Sequence, residues 1–429
     1  MITAAIGKIF LDAYNERYGT KYDAKTFFVE IYHPLFFDSN KYLQWISNSP
    51  FVQMKKGQKV ETLTPDERKE KLQDFLVKVD EYSKPDASIA PGFPASEVKE
   101  FSTTSGQVTD LDFITEKEDF FLSWIGSGLG VGLQGGLSIL FTESAILLDL
   151  FDGWKLYRSV LNANESLKGN QVNTWNGQWL AHRYDKSNFY PEQPMVGFNP
   201  IETSKCGMNI AIQSWTKVLI GISMLYDKPK MMGYVYSLGQ TNTTIGFIPF
   251  NLDHIRKPIQ LYAKLFGEEE GKIAEKLWGT ETGFRVCCQK GAIGIKAMQP
   301  KGLRQYMDGS KLPKKANDGN QKIIFNTYLI WILSMLNNQD LWSKSMEFAK
   351  VLFDYSKSGK SSKTLNSQKV NNILSATNKK TFISALTEIV GESGKREHIV
   401  ELAELVNSMP TDNVPYFLTL LRFCYASIS

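Results

Sequence analysis

The chain has 429 residues, a net charge of +4, 42% hydrophobic residues and 22% charged residues. This is an ordinary globular composition, long enough for two or three domains and for a core that needs no disulfide or metal staple. Four cysteines without a C-x-x-C pair (Cys206, Cys287, Cys288, Cys424) and four scattered histidines exclude a secreted disulfide framework and a legible zinc site.

The N-terminus lacks the apolar core of a secretory signal, so a reducing, cytoplasmic setting is expected. Ile6, Ile9, Phe10 and Tyr14 recur at helical spacing. Residues 26–32 are β-branched and aromatic, closed by His33-Pro34, and read as a strand. Thr64-Pro65-Asp66-Glu67 starts a helix whose apolar face is Leu72, Phe75, Leu76 and Val79. Residues 85–110 are loop-like, rich in Pro, Ser, Thr and Gly.

Residues 121–142 carry no charge and have the length of a membrane span. Six glycines, Gln134 and the absence of a flanking Lys/Arg cluster argue against insertion. Residues 137–156 form an apolar run expected to be helical, residues 166–208 read as irregular, and residues 211–226 as a helix. Residues 233–250 alternate Gly, Thr, Ile and Phe and predict one or two strands, and 258–279 an amphipathic helix. Residues 283–315 read as strand and turn with many lysines. Beyond about residue 317, six helical segments with short linkers predict a bundle of ordinary domain size. The expected fold is therefore α+β: a mixed, helix-rich N-terminal domain over 1–315 with a short irregular β-sheet, then an α-helical bundle over 316–429.

Enzyme motifs are sparse. Gly130-x-Gly132-x-x-Gly135 matches the dinucleotide fingerprint, with 120–125 as a possible strand before it. No second strand ending in an acid follows, so a structural or backbone-contact loop is the better reading. Pro85-Asp86 with Glu97-Val98-Lys99 matches a nuclease pattern that holds a divalent metal between two strands. The carriers lie in a Pro/Ser/Gly-rich stretch with poor strand content. There is no P-loop, no G-x-S-x-G elbow and no H-E-x-x-H helix. His182 near Asp185 reads as a surface histidine. The expectation is a chain without an enzyme site or cofactor.

Charge is more informative. Residues 285–315 carry Arg285, Lys290, Lys296, Lys301, Arg304, Lys311, Lys314 and Lys315 against Asp308 alone. Residues 357–380 carry six lysines and no acid. Clustered cations among glycines suit phosphate contacts, while a solvated basic face is the plain alternative. Residues 173–189 gather amides, aromatics, Arg183 and Lys186, which suit either nucleic acid or a protein interface.

The run W-N-G-x-W-L-x-x-R-Y-D-K-S-N-F over 175–189, the Gly-rich segment before it and the helical C-terminus ending in 409–426 together resemble the large subunit of type I-B CRISPR Cascade complexes. The likeness is diffuse, spread from about residue 25 onward. Paired C-x-x-C zinc ligands found in some relatives are missing here. The resemblance implies a non-catalytic subunit of an RNA-guided surveillance complex. Its partners would be guide RNA (crRNA), target double-stranded DNA, backbone, handle-binding and small subunits, and a recruited helicase-nuclease or transposition machinery, with no membrane. The N-terminal domain would sit by the 5′ handle, read the protospacer-adjacent motif and help open the duplex, while guide pairing reads the rest. Type I-B relatives also make a small subunit from an internal start, for which Met307 and Met335 are placed.

Gly130, Gly132 and Gln134 are then candidates for groove approach and base contact. Asn176, Gln178, Arg183, Lys186 and Asn188 are candidates for DNA or handle contact, and Arg285, Lys290, Lys296, Lys301 and Arg304 for phosphates. Two other classes stand beside this reading: a metal-dependent nuclease using Asp86, Glu97 and Lys99, and a general nucleic-acid scaffold.

Overall fold

The computed structural model describes residues 2–46, 49–81, 116–205, 207–237, 243–279, 281–291, 293–316, 318–358, 363–392 and 394–429. The fold is α+β and helix-rich. The chain divides into two compact units, Met1–Phe250 with Cys288–Ala292, and Asn251–Cys287 with Ile293–Ser429.

The first unit opens with α1 (Ile2–Tyr18), α2 (Ala24–Phe27), a π-helical turn (Phe28–Tyr32) and α3 (His33–Phe36). The strand expected at 26–32 is thus helical. Phe28, Tyr32 and Phe36 recur every four residues, all fully buried, and the Tyr32 and Phe36 rings stack at 4.0 Å. An aromatic run satisfies either period, and here the burial available to a helix decides. Pro34 does not end the helix because it falls in the first turn of α3. Asp23 caps α2 by accepting from the Thr26 amide at 2.7 Å.

Helix α4 (Pro65–Glu81) starts where expected, with a capping box. The Glu67 amide donates to Thr64 Oγ1 at 3.2 Å and the Thr64 amide to Glu67 Oε2 at 2.8 Å. Helix α5 (Lys117–Gly128) replaces the strand considered at 120–125. It crosses α1 at backbone contact. A Cβ on Gly7 would run into the Leu122 carbonyl, and one on Gly126 into the Thr3 carbonyl. Thr3 and Ser123 hydroxyls bond across the crossing at 2.6 Å. Among the described residues no helix is long and apolar enough to cross a membrane.

The chain then forms β1 (Val131–Leu133) and β2 (Leu137–Phe141), a hairpin where a helix was expected to begin. A short apolar run does not distinguish a buried strand from a buried helix. The reversal is set by Gly135 (φ +88°) and Gly136 (φ +70°), a conformation glycine adopts without strain. With a hairpin in place, the G-x-G-x-x-G match lacks the strand-to-helix setting of a dinucleotide site.

Helix α6 (Ser144–Ala163) and α7 (Val172–Arg183) follow, α7 correcting the irregular expectation for 166–208. Its Asn, Thr and Gly are weak helix formers, but Val172, Trp175, Asn176, Trp179 and Leu180 bury one face. A separate hairpin, β3 (Ile201–Ser204) and β4 (Gly207–Ile210), precedes α8 (Trp215–Leu225). Strands β5 (Met231–Ser237) and β6 (Thr243–Phe250) fulfil the alternation seen in sequence. They complete an antiparallel sheet of order β1-β2-β5-β6, with an irregularity between Val235 and Tyr236.

Chain order in the second unit begins with α9 (Leu252–Phe266) and α10 (Glu268–Ala274), one expected helix broken at Gly267 (φ +96°). Short helices α11 (Phe284–Gln289) and α12 (Arg304–Met307) and a 3-10 turn (Ile295–Met298) replace the strands expected at 283–315. Cys288 and Gln289 of α11 are counted with the first unit. Then come α13 (Gly319–Leu336), α14 (Asp340–Lys357), α15 (Lys363–Ser375), α16 (Lys379–Val390), α17 (Arg396–Ser408) and α18 (Val414–Ile428), the six expected helices. Asp318 and Asn378 cap α13 and α16, and left-handed Asn337 (φ +49°) closes α13.

Arg422 of α18 is 2% exposed. Its guanidinium donates to the carbonyls of Leu374, Ala376 and Tyr306, each at 2.5 Å. Burial pulls it down to about 10, with Asp308 opposing. One side chain thus holds the end of α15 and the end of α12 to α18.

Candidate nucleic-acid interface

The candidate residues fall in three places. The first is the tip of the β1-β2 hairpin, where Gln134, Gly135 and Gly136 are exposed. The Gln134 amide donates to the Gln213 carbonyl at 3.0 Å, tying the tip to the segment before α8. Gln178 Nε2 donates to the Ala211 carbonyl at 2.8 Å, and the Gln178 and Gln213 amides meet at 3.5 Å. Three glutamines therefore share one patch, beside Ile212, which is 58% exposed, and exposed Lys217.

Gly130, Gly132 and Asn176 form the frame beneath. A Cβ on Gly130 would meet the Tyr236 hydroxyl and Asn173 Nδ2, and one on Gly132 the Asn173 carbonyl carbon at 2.9 Å. Asn176 is fully buried and donates Nδ2 to the carbonyls of Gly128 and Gly130 at 2.8 and 2.9 Å. It holds the start of the hairpin against α7 and presents no surface of its own. Gln213, Ile212 and Lys217 were missed from sequence. Ser214 marks a helix start as the N-cap of α8, but nothing in the sequence brings residue 213 to residue 134.

The second place is the far end of α7. Arg183 pairs with Asp149 at 3.0 Å and lies over the Phe189 ring at 4.7 Å. Lys186 and Asn188 are exposed on the following turn, Asn188 Nδ2 donating to Asp185 Oδ2 at 2.9 Å. His182 is not the surface histidine expected. It is 8% exposed, stacks on Phe198 at 4.6 Å and has Nε2 2.9 Å from the Pro194 carbonyl. Burial lowers its pKa.

The third place is the basic run. Lys290 lies in the segment belonging to the first unit, and Arg285, Lys296, Lys301, Arg304, Lys311, Lys314 and Lys315 in the second. All but half-buried Arg285 are exposed. Arg285, Lys290, Lys296, Arg304, Lys311, Lys314 and Lys315 form no ion pair among the described residues. Lys311 lies over the Tyr306 ring at 5.4 Å. The nearby Asp308 carboxyl is held below its ordinary range by Ser310 hydrogen bonds, with Arg304 and Arg422 adding.

The other basic run, 357–380, is partly engaged in structure. Lys369 pairs with Glu392 at 2.6 Å, and Lys379 donates to the Asn407 carbonyl at 2.8 Å. Asp86, Glu97 and Lys99 lie outside the described residues. Among the described residues, no group of three or more His, Cys, Asp or Glu is placed to hold a metal ion. Cys287, Cys288 and Cys424 are buried, and burial pushes the Cys424 thiol up to about 12.

No family model matches the chain, and no curated protein or solved structure matches it either.

Proposed function

We propose that the chain is a nucleic-acid-binding, non-catalytic subunit of an RNA-guided DNA surveillance complex, in the role of its large subunit. The observation that carries the nucleic-acid part is the basic run at 285–315. Seven of its cations, named above, lack a carboxylate partner among the described residues, whereas Lys8, Arg17, Lys55 and Lys228 each have one. Phosphates are the polyanion such a run suits, through counterion release that is independent of sequence. The exposed hairpin tip adds the Gln134 amide, a group able to read base edges, with the half-buried, bonded amide of Gln178 beside it. The assignment to a CRISPR complex, with motif recognition by the N-terminal unit and guide RNA, backbone, handle-binding and small subunits as partners, rests on the sequence resemblance.

Co-expression with the neighbouring genes and a guide RNA, followed by capture on this chain, tests it. One discrete guide RNA with repeated backbone subunits is the expected result. A chain that comes out alone, or with random nucleic acid, would overturn the surveillance-complex reading. Within a purified complex, Gln134→Ala is expected to weaken binding to target duplex about tenfold, as loss of one good base contact does. Equal binding by this variant removes Gln134 from the interface.

A further inference from the structure

The end of α7 and the middle of α6 enclose a cleft of about 260 Å³ whose lining includes Lys155, Trp179, Arg183, Phe189, Pro191 and Pro194. Its volume suits one ring system rather than a peptide segment or a large cofactor. Trp179 forms the floor, its indole N–H fixed to the Asp149 carbonyl at 2.7 Å. Phe189 stands edge-on to it, ring centroids 6.0 Å apart at 80°. The Arg183 guanidinium covers one face of Phe189.

Charge in the cleft is not balanced. Arg17 pairs with Asp152 and Arg183 with Asp149, both at 3.0 Å. Lys155 is exposed, has no carboxylate partner among the described residues, and lies over the Phe151 and Tyr18 rings at 4.6 and 5.6 Å. Of the charged lining residues, Asp152 and Arg183 are each paired with a residue outside the lining, which leaves the Lys155 ammonium as the charge without a carboxylate among the described residues. Exposed Lys186, Tyr190 and Glu192 lie on the segment that forms one wall. An apolar slot with an aromatic floor, a stacked guanidinium and one uncompensated ammonium selects a flat ring that carries an anion beside it.

We infer that this cleft takes one unstacked base of a single-stranded nucleic acid, with the adjoining phosphate on Lys155. The inference rests on the nucleic-acid reading above and adds to it a single-strand site separate from the hairpin tip. Ring stacking tolerates any base, so the site holds a strand without reading its sequence.

Fluorescence anisotropy on the full chain tests it, with a labelled thymidine oligonucleotide, an abasic oligonucleotide of equal length and charge, and a duplex. Wild type is expected to prefer the thymidine strand over the abasic one about tenfold, the order expected for one stacked base. Phe189→Ala removes that preference. Lys155→Gln weakens both single strands and lowers the salt slope by about 0.7. Duplex binding stays unchanged in both variants. Since Lys155 is exposed and has no carboxylate partner among the described residues, its variant keeps the test decisive even if Phe189→Ala fails to fold. A preference that survives both substitutions, or duplex binding by wild type with no preference for bases, overturns the cleft and leaves the nucleic-acid reading in place. Wild type that binds neither single strand nor duplex overturns both. Binding of an acidic phenylalanine peptide that Phe189→Ala abolishes and the thymidine strand cannot compete away would assign the cleft to a protein partner instead.

Discussion

Cations serve opposite purposes in two regions of this molecule. In the first unit Lys41, Arg68, Lys71 and Arg158 are drawn inward and fixed to backbone. Lys41 donates to the carbonyls of Asn164, Glu165 and Leu167 at 2.7, 2.7 and 2.9 Å. Arg158 reaches the carbonyls of Leu35 and Lys41, Arg68 that of Leu63, and Lys71 that of Pro50. Along 285–315, Lys290, Lys296, Arg304, Lys311, Lys314 and Lys315 are exposed and form no ion pair among the described residues. A carbonyl-bound cation is a structural tie and has little left to offer a ligand. A cation facing water, with its charge unbalanced, is available. Sequence does not say which cation is bound to carbonyls and which faces water: residues 35–71 mix buried Arg68 and Lys71 with exposed Lys55, Lys56, Lys59 and Lys69.

Substitutions can break this contrast at either end. The largest expected effect belongs to Arg422, the second unit's own carbonyl-bound cation. Arg422→Ala leaves three carbonyls without their donor and opens space in the bundle, at a cost of about 4 kcal/mol by analogy with broken buried pairs. Denaturant unfolding monitored by circular dichroism reads this directly, and a loss under 1 kcal/mol would show the tie to be dispensable.

His33 comes next. It is 6% exposed, and burial holds its pKa at about 4, with Arg68 adding to the depression and Asp38 opposing it. The native state therefore resists a proton that the unfolded chain accepts. Stability from this group is complete above about pH 6.5, the ordinary histidine value, and falls as pH drops toward about 4. The total is on the order of 3 kcal/mol, for a pKa that falls from the ordinary value of about 6.5 to about 4. Unfolding free energies of wild type and His33→Gln between pH 7 and pH 4 should converge as the pH falls, whereas parallel curves would mean His33 protonates as freely in the fold as outside it.

Lys41→Met, at a half-buried position, should cost about 2 kcal/mol through loss of the charge-assisted bonds that hold residues 164–167. Thermal unfolding checks it, and the position is tolerant if the melting temperature does not move. At the other end, the double variant Lys296→Glu, Arg304→Glu should change stability by less than about 0.5 kcal/mol, because both groups are exposed and form no ion pair among the described residues. The same protein should lose nucleic-acid affinity and show a shallower salt dependence. A destabilised double variant would mean that these cations, too, are structural.

Much of the fold was legible where local chemistry and burial agree. The capping box at Thr64 and Glu67, the caps at Asp318 and Asn378, and the β-branched alternation before Phe250 each specify one answer. The failures share one cause. Residues 26–36, 137–141 and 172–183 are apolar or aromatic throughout or carry weak formers, so more than one period fits them and tertiary burial decides. The candidate site was legible in the same uneven way. The glycine-rich stretch marks Gln134 as a contact residue, but the hairpin that makes it a tip shows only in the structure. Asn176 and Gln178 differ by two positions on one helix, and no property of the amide says that the first is interior and the second reachable. Gln213 joins the patch only through tertiary structure.

The crossing of α1 with α5 has a consequence for biosynthesis. Thr3 and Ser123, which meet there, are 120 residues apart, and the backbones touch only because Gly7 and Gly126 leave room. At roughly 5–20 residues per second of translation, the first helix leaves the ribosome with Ile6 and Phe10 uncovered and waits on the order of ten seconds for its partner. During that interval the nascent chain presents the kind of apolar helix face that chaperones take up.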